Sequence, residues 1–164
     1  MRKRSNIYKS TIAYLGIGTN KGNRKRNIQN ALKLLNKNKK IKVIKVSKLL
    51  KNPPQEGIKS GYFLNGALKI KTSLPPLKLL KACKDIEKKL GRPISKKKKS
   101  RIIDLDILLF GNKILNTPTL KIPHPRLKAR YFVLIPLIDL NKDLKHPILN
   151  KSISKLYSKL KKRN

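Results

Sequence analysis

Asp104 and Asp106 stand one residue apart in the run Arg101-Ile102-Ile103-Asp104-Leu105-Asp106-Ile107-Leu108-Leu109-Phe110. The chain has 7 acidic residues against 43 lysines and arginines, so two carboxylates in one apolar run call for a reason. On a β-strand, alternate side chains share a face. Both carboxylates then point one way, and Leu105, Ile107 and Leu109 point the other. They would lie roughly 6–7 Å apart along the strand, where they repel, and burial strengthens the repulsion. A divalent cation relieves it. Hard oxygen donors of this kind suit Mg2+, which is held by one or two carboxylates plus substrate phosphates.

Basic residues gather around this pair in the sequence. Arg101 lies three positions before Asp104, and Arg92 opens a polar loop that carries Lys96 to Lys99. His124 and Arg130 belong to Pro123-His124-Pro125-Arg126-Leu127-Lys128-Ala129-Arg130. Arginines and a histidine converging on an acid pair would neutralise phosphate oxygens and align them. Phe63 and Asn65 share a face of another strand. A ring can stack on a flat heterocycle, and an amide can pair with its edge. Each residue alone also has an ordinary reading: a solvated arginine, a satisfied loop histidine, a packed ring. His146 has no supporting cluster and reads as structural. Gly16-Ile17-Gly18 is half a dinucleotide fingerprint that lacks its third glycine. The chain has no Walker-type phosphate loop, no zinc-ligand spacing and no Ser or Cys nucleophile constellation.

The elements that must position these residues follow from periodicity. Thr11 to Gly18 reads as a strand, and a helix follows with Ile28, Ala31, Leu32 and Leu35 on one stripe. Ile41 to Leu50 reads as a second strand with a bulge near Ile44, and Lys51 to Ser60 as a loop. In Gly61 to Lys71, Tyr62, Leu64, Leu68 and Ile70 alternate with Phe63, Asn65 and Ala67. Leu77 to Leu90 is a helix with Leu79, Cys83, Ile86 and Leu90 as its stripe, prolines before it and Gly91 after it. The aspartate strand comes next. Ile114 to Ile122 reads as a short hairpin, a helical turn leads to Phe132-Val133-Leu134, and Ser152 to Leu160 is a terminal helix. The order β-α-β-β-α-β is that of a ferredoxin-like α+β sandwich. Its helices are expected to cover one face of an antiparallel sheet and leave the other free for loops and ligands.

With 164 residues, the chain reads as a basic arm over 1–10 and a single domain over 11–164. The formal net charge of +36 favours anionic ligands. It is spread along nearly every element, which reads as compositional drift more readily than as a dedicated nucleic-acid surface. It also allows nonspecific nucleic-acid binding at low salt. Cys83 is the only cysteine, so no intrachain disulfide forms, and its place on an apolar helical stripe suits packing. No stretch is long enough to span a bilayer, and a soluble, cytoplasmic, monomeric protein is expected.

Several ordered segments together resemble the 6-hydroxymethyl-7,8-dihydropterin pyrophosphokinase family of folate biosynthesis. They are Ala13-Tyr14-Leu15-Gly16-Ile17-Gly18-Thr19-Asn20 with Gly22-Asn23-Arg24, Phe63-Leu64-Asn65, Ile86-Glu87 with Leu90-Gly91-Arg92, the aspartate segment, and Ile122-Pro123-His124-Pro125-Arg126-Leu127 running to Arg130-Tyr131-Phe132. The likeness covers about residues 12–150. It implies transfer of pyrophosphate from ATP to a reduced pterin alcohol, leaving AMP. Asp104 and Asp106 would hold two Mg2+ ions, and Arg92 and Arg101 would stabilise the migrating group. Glu87, Ile107, Lys121, His124 and Arg130 would contact ATP. Phe63 and Phe132 would sandwich the pterin, with Asn52, Pro53 and Asn65 at its edge. The chain departs from the family where Lys97-Lys98-Lys99-Ser100 replaces the usual Arg-Trp-Gly-Pro and where Lys84 stands in place of a glutamine. A basic nucleic-acid-binding protein on the same fold is the competing reading.

Overall fold

The computed structural model describes residues 9–54, 61–91 and 101–163. Most of the basic arm, the second half of the 51–60 loop, Arg92 and the lysine run 96–99 lie outside the described residues. The elements are β1 (Thr11–Thr19), α1 (Arg24–Lys37), β2 (Ile41–Val46), β3 (Leu50–Asn52), β4 (Phe63–Thr72) and α2 (Pro76–Lys89). They continue as β5 (Asp104–Phe110), β6 (Leu115–Asn116), β7 (Lys121–Ile122), a 3₁₀ turn (Leu127–Ala129), α3 (Tyr131–Leu140) and α4 (Ile153–Lys161).

The main sheet runs β2-β4-β1-β5, with β3 also on β4, and every pairing is antiparallel. Counting β3 as a continuation of β2, this is the ferredoxin-like order. The single strand expected over 41–50 is interrupted at Ser47. There the Ser47 N–H donates to the Ala67 carbonyl (2.9 Å) and its Oγ accepts from the Ala67 N–H (2.9 Å). The bulge expected near Ile44 is present between Val43 and Lys45.

One face of the sheet is packed solid. Ile28, Ala31 and Leu35 of α1 and Leu79, Cys83 and Ile86 of α2 press on Ala13, Leu15, Ile17, Leu68, Ile70, Leu105 and Ile107. Each leucine or isoleucine buried this way contributes about 1.5–3 kcal/mol. Asn23 caps α1 by accepting from the Arg26 N–H (3.0 Å), and Gly91 ends α2 with φ 93°. Burial pushes the Cys83 thiol up to about 12, so it stays protonated and serves packing, as expected.

The opposite face departs from expectation in two ways. It is not free, because Leu127, Leu134, Leu137, Leu140, Ile153 and Leu156 pack against Tyr14, Ala67, Leu108 and Leu109. Tyr131–Leu140 forms a helix despite Pro136 within it. Pro136 cannot donate its rung of the helical ladder, and the burial of Leu134, Leu137 and Leu140 offsets that loss. Secondly, Leu109 does not share a face with Leu105 and Ile107. Leu15 pairs with Ile107 and Tyr14 with Leu109, so Leu108 is an extra residue. That bulge reverses the alternation, and Leu109 joins the α3–α4 side.

The hairpin of β6 and β7 and the terminal helix form as expected. His146 is buried, its Nδ1 accepting from the Ile148 and Leu149 N–H groups (3.3 and 3.2 Å), which fits its structural reading.

Candidate active site

The α3–α4 layer stops short of one end of the sheet and leaves a cavity of about 410 Å³. Its floor is the outer face of β1, where Gly16 lies opposite Asp106 and Gly18 lies between Asp104 and Asn65. A Cβ on Gly18 would come 2.5 Å from the Asn65 Oδ1. A side chain at position 18 would therefore push the Asn65 amide out of its place on the cavity wall. The two glycines that looked like half a fingerprint instead pave the cavity.

Asp104 and Asp106 share the cavity face of β5, as strand alternation requires. The β5 strand forms the edge of the sheet among the described residues. Burial, and secondarily the neighbouring Asp104, pushes the Asp106 carboxyl above the ordinary range, while Lys84, His124 and Arg101 oppose the shift. Arg101 Nη1 donates to Asp104 Oδ2 at 2.7 Å. Arg101 is itself held by Asn20, which is 2% exposed. The Asn20 N–H donates to the Arg101 carbonyl (3.1 Å), and the Asn20 Oδ1 accepts the Arg101 N–H (2.5 Å). Arg24 extends the brace by donating to the carbonyls of Asn20 (3.1 Å) and Tyr62 (2.9 Å), and it stacks on the Tyr62 ring.

His124 hangs from β5 through its N–H to the Leu108 carbonyl (2.9 Å). Its Nδ1 accepts the Arg126 N–H (3.1 Å), so the neutral ring carries its proton on Nε2 as a donor. Burial, helped by Arg130 and Arg126, lowers its pKa against the opposing pull of Asp106. Arg130 is pushed downward too, by burial first and then by Arg126. Phe63 at the start of β4 and Phe132 in the first turn of α3 both line the cavity, half-buried. Asn65 Nδ2 donates to Asn52 Oδ1 (2.5 Å), which orients both amides at the same wall.

The cavity therefore brings together Arg101, Asp104, Asp106, His124, Arg130, Asn52, Phe63, Asn65 and Phe132. Four expected contacts lie elsewhere. The Ile107 side chain is buried in the α1–α2 core, Lys121 is exposed on β7, and Pro53 is exposed beside Asn52. Glu87 is buried beneath β5, where its Oε1 accepts the Leu105 N–H (2.7 Å) and Lys84 Nζ (3.0 Å). Gly16, Gly18, Asn20, Arg24 and Arg126 were not read from the sequence as site residues, and Lys84 was marked only as a departure from the family's glutamine. Two glycines on one face of a strand were a usable signal. Nothing local flags Asn20, whose role depends on a residue 81 positions away.

Chemically, one wall offers acid and cations and the other offers two phenyl rings and two amides. That suits a ligand with a polyanionic tail and a flat, hydrogen-bonding head. Among the described residues no group of three or more His, Cys, Asp or Glu gathers as a metal cage. Two carboxylates facing a cavity suit instead a hard ion that completes its shell with water and phosphate oxygens. No helix among the described residues is long and apolar enough to cross a membrane.

The family model for 7,8-dihydro-6-hydroxymethylpterin-pyrophosphokinase (HPPK) matches residues 14–142. The chain is 41% identical over 152 residues to the folic acid synthesis protein fol1 of Schizosaccharomyces pombe, covering 93% of this chain. It spans only 21% of that fungal protein's length. It is 40% identical over 131 residues to 2-amino-4-hydroxy-6-hydroxymethyldihydropteridine pyrophosphokinase of Bacillus subtilis, covering 80% of this chain and 78% of that one. Among solved structures it is similar to HPPK-DHPS of Plasmodium falciparum (TM-score 0.77, 22% identity), covering 97% of this chain and 47% of that one. That last likeness bears on the fold.

Proposed function

The chain belongs to the 7,8-dihydro-6-hydroxymethylpterin-pyrophosphokinase family, and on that premise we propose that it moves the terminal pyrophosphoryl group of ATP to the hydroxymethyl oxygen of a reduced pterin. AMP and the pterin diphosphate are the products, and residues 11–164 form the catalytic unit. The observation that carries the reading is the sharing of one cavity by the Asp104–Asp106 pair and the Phe63–Phe132 pair.

In this reading Phe63 and Phe132 grip the pterin ring, and the linked amides of Asn52 and Asn65 read its edge. Arg101, fixed by Asn20, and Arg130 meet the phosphate oxygens and stabilise the charge that spreads over the migrating group. The His124 Nε2–H donates to a phosphate oxygen without adding a full charge. Asp104 and Asp106 would hold Mg2+, which supplies charge neutralisation and alignment of the phosphates when bound. Arg92 is assigned to the same group of phosphate contacts. Glu87 acts through Leu105 and Lys84 in place of a direct nucleotide contact. Phosphoryl transfer asks little covalent work of the protein, so positioning and electrostatics suffice.

The test follows AMP by chromatography with ATP, the pterin alcohol and Mg2+. The reading expects AMP and pterin diphosphate in equal amounts, neither forming without the pterin or with excess EDTA. AMP formation that ignores the pterin would refute it.

A further inference from the structure

We propose that Lys84 is a resident counter-cation of the acid pair, weakening divalent-ion binding at Asp106 until the nucleotide arrives. This rests on the reading of Asp104 and Asp106 as metal ligands.

The geometry is specific. Lys84 belongs to α2, which packs on the opposite face of the sheet from the cavity. Because β5 is an edge strand among the described residues, the lysine can reach around it. Its Nζ lies 4.0 Å from Asp106 Oδ1 and 3.0 Å from Glu87 Oε1. That same Glu87 oxygen accepts the N–H of Leu105, the residue between the two aspartates. One buried oxygen thus ties the ammonium to the strand that carries the acids.

Lys81 and Asp85, one turn earlier on α2, show what an ordinary pair looks like. Both of those side chains are more than half exposed, at 69% and 61%. In the Lys84 pair the lysine is 45% exposed and the carboxylate only 2%. A solvated pair is loosely held, whereas a buried acceptor with a second hydrogen bond gives the half-exposed ammonium a defined resting place that it can still leave. A metal ion approaching Asp106 therefore meets a positive charge already in place. ATP brings phosphate oxygens to which the ammonium can turn, and the repulsion then falls. Lys84 thereby couples metal entry to nucleotide entry.

The experiment measures Mn2+ binding to the full chain by electron paramagnetic resonance, with and without a nonhydrolysable ATP analogue. Lys84→Gln keeps a donor for Glu87 and removes the charge. It should tighten Mn2+ binding about tenfold in the nucleotide-free protein and about twofold or less with the analogue. Lys84→Arg should stay within about twofold of the parent in both. Thermal melts check that the variants are folded. An unchanged or weaker Kd in nucleotide-free Lys84→Gln overturns the proposal, as does equal tightening in both arms. Should the parent fail to bind Mn2+ even with the analogue, the metal reading itself fails.

Discussion

At the cavity end, the two faces of this sheet are built from the same strands and do opposite jobs. On β1, Ala13, Leu15 and Ile17 go into the α1–α2 core while Gly16 and Gly18 floor the cavity. On β5, Leu105 and Ile107 are fully buried where Asp104 and Asp106 are half-buried against the cavity. On β4, Leu68 and Ile70 pack while Phe63 and Asn65 face the ligand space. Alternation sorts stability into one set of residues and chemistry into the next, one position away. The packed face can be tight because it makes no allowance for a ligand. The cavity face tolerates repelling carboxylates and missing side chains because its neighbour supplies the stability.

That contrast can be broken most severely at Asp106. Asp106→Ala should lower turnover by about 10³-fold or more, since an electrostatic contribution of several kcal/mol is removed. Its melting temperature should hold or rise, because a like-charge neighbour of Asp104 is gone. Unfolding together with loss of turnover would dissolve the distinction between the faces. The adjacent change, Leu105→Ala, should do the reverse. Denaturant titration should show a loss of about 2–5 kcal/mol, with turnover per folded molecule little changed.

Smaller effects sharpen the comparison. Phe63→Ala should raise the pterin KM about tenfold and leave the ATP KM within about twofold. Equal losses for both ligands would move the pterin elsewhere. Asn20→Ala tests whether a buried brace serves chemistry. It removes the Oδ1 acceptor of the Arg101 N–H, and kcat should fall about tenfold with a stability loss of about 1–3 kcal/mol.

The mildest prediction concerns pH. Burial pushes both His124 and His146 below the ordinary 6.5. The unfolded chain then takes up protons that these two residues refuse in the folded chain as pH falls through 6.5, so their contribution to stability declines toward acid. The raised Asp106 and Glu87 carboxyls act in the opposite sense, so the His146 part is isolated by difference: between about pH 7.5 and pH 5.5 the melting temperature of His146→Gln should lose less, or gain more, than the parent's. Identical pH dependence in the two proteins would mean that His146 makes no such contribution.

Much of this division is legible in the linear chain. The apolar stripes of α1 and α2 and the alternation of β4 each point to their observed faces. So does the pairing of Asp104 with Asp106, because each pattern is local and periodic. Legibility fails where long-range packing intervenes. The bulge at Leu108 turns Leu109 to the other face, and no local pattern marks an inserted residue. Tyr131–Leu140 contains a proline and apolar residues on several sides, so its helical period is blurred, and burial decides its form. Asn20 looks like a turn residue, and Lys84 is marked only as a replacement for the family's glutamine, until β5 is placed beside them.

The most direct test of the whole account is a crystal structure with Mn2+, a nonhydrolysable ATP analogue and the reduced pterin, with the metal located by anomalous scattering. The account predicts metal peaks about 2.0–2.3 Å from carboxylate oxygens of Asp104 and Asp106, with the pterin ring between Phe63 and Phe132. Peaks remote from both aspartates, or a pterin bound outside the cavity, would contradict it.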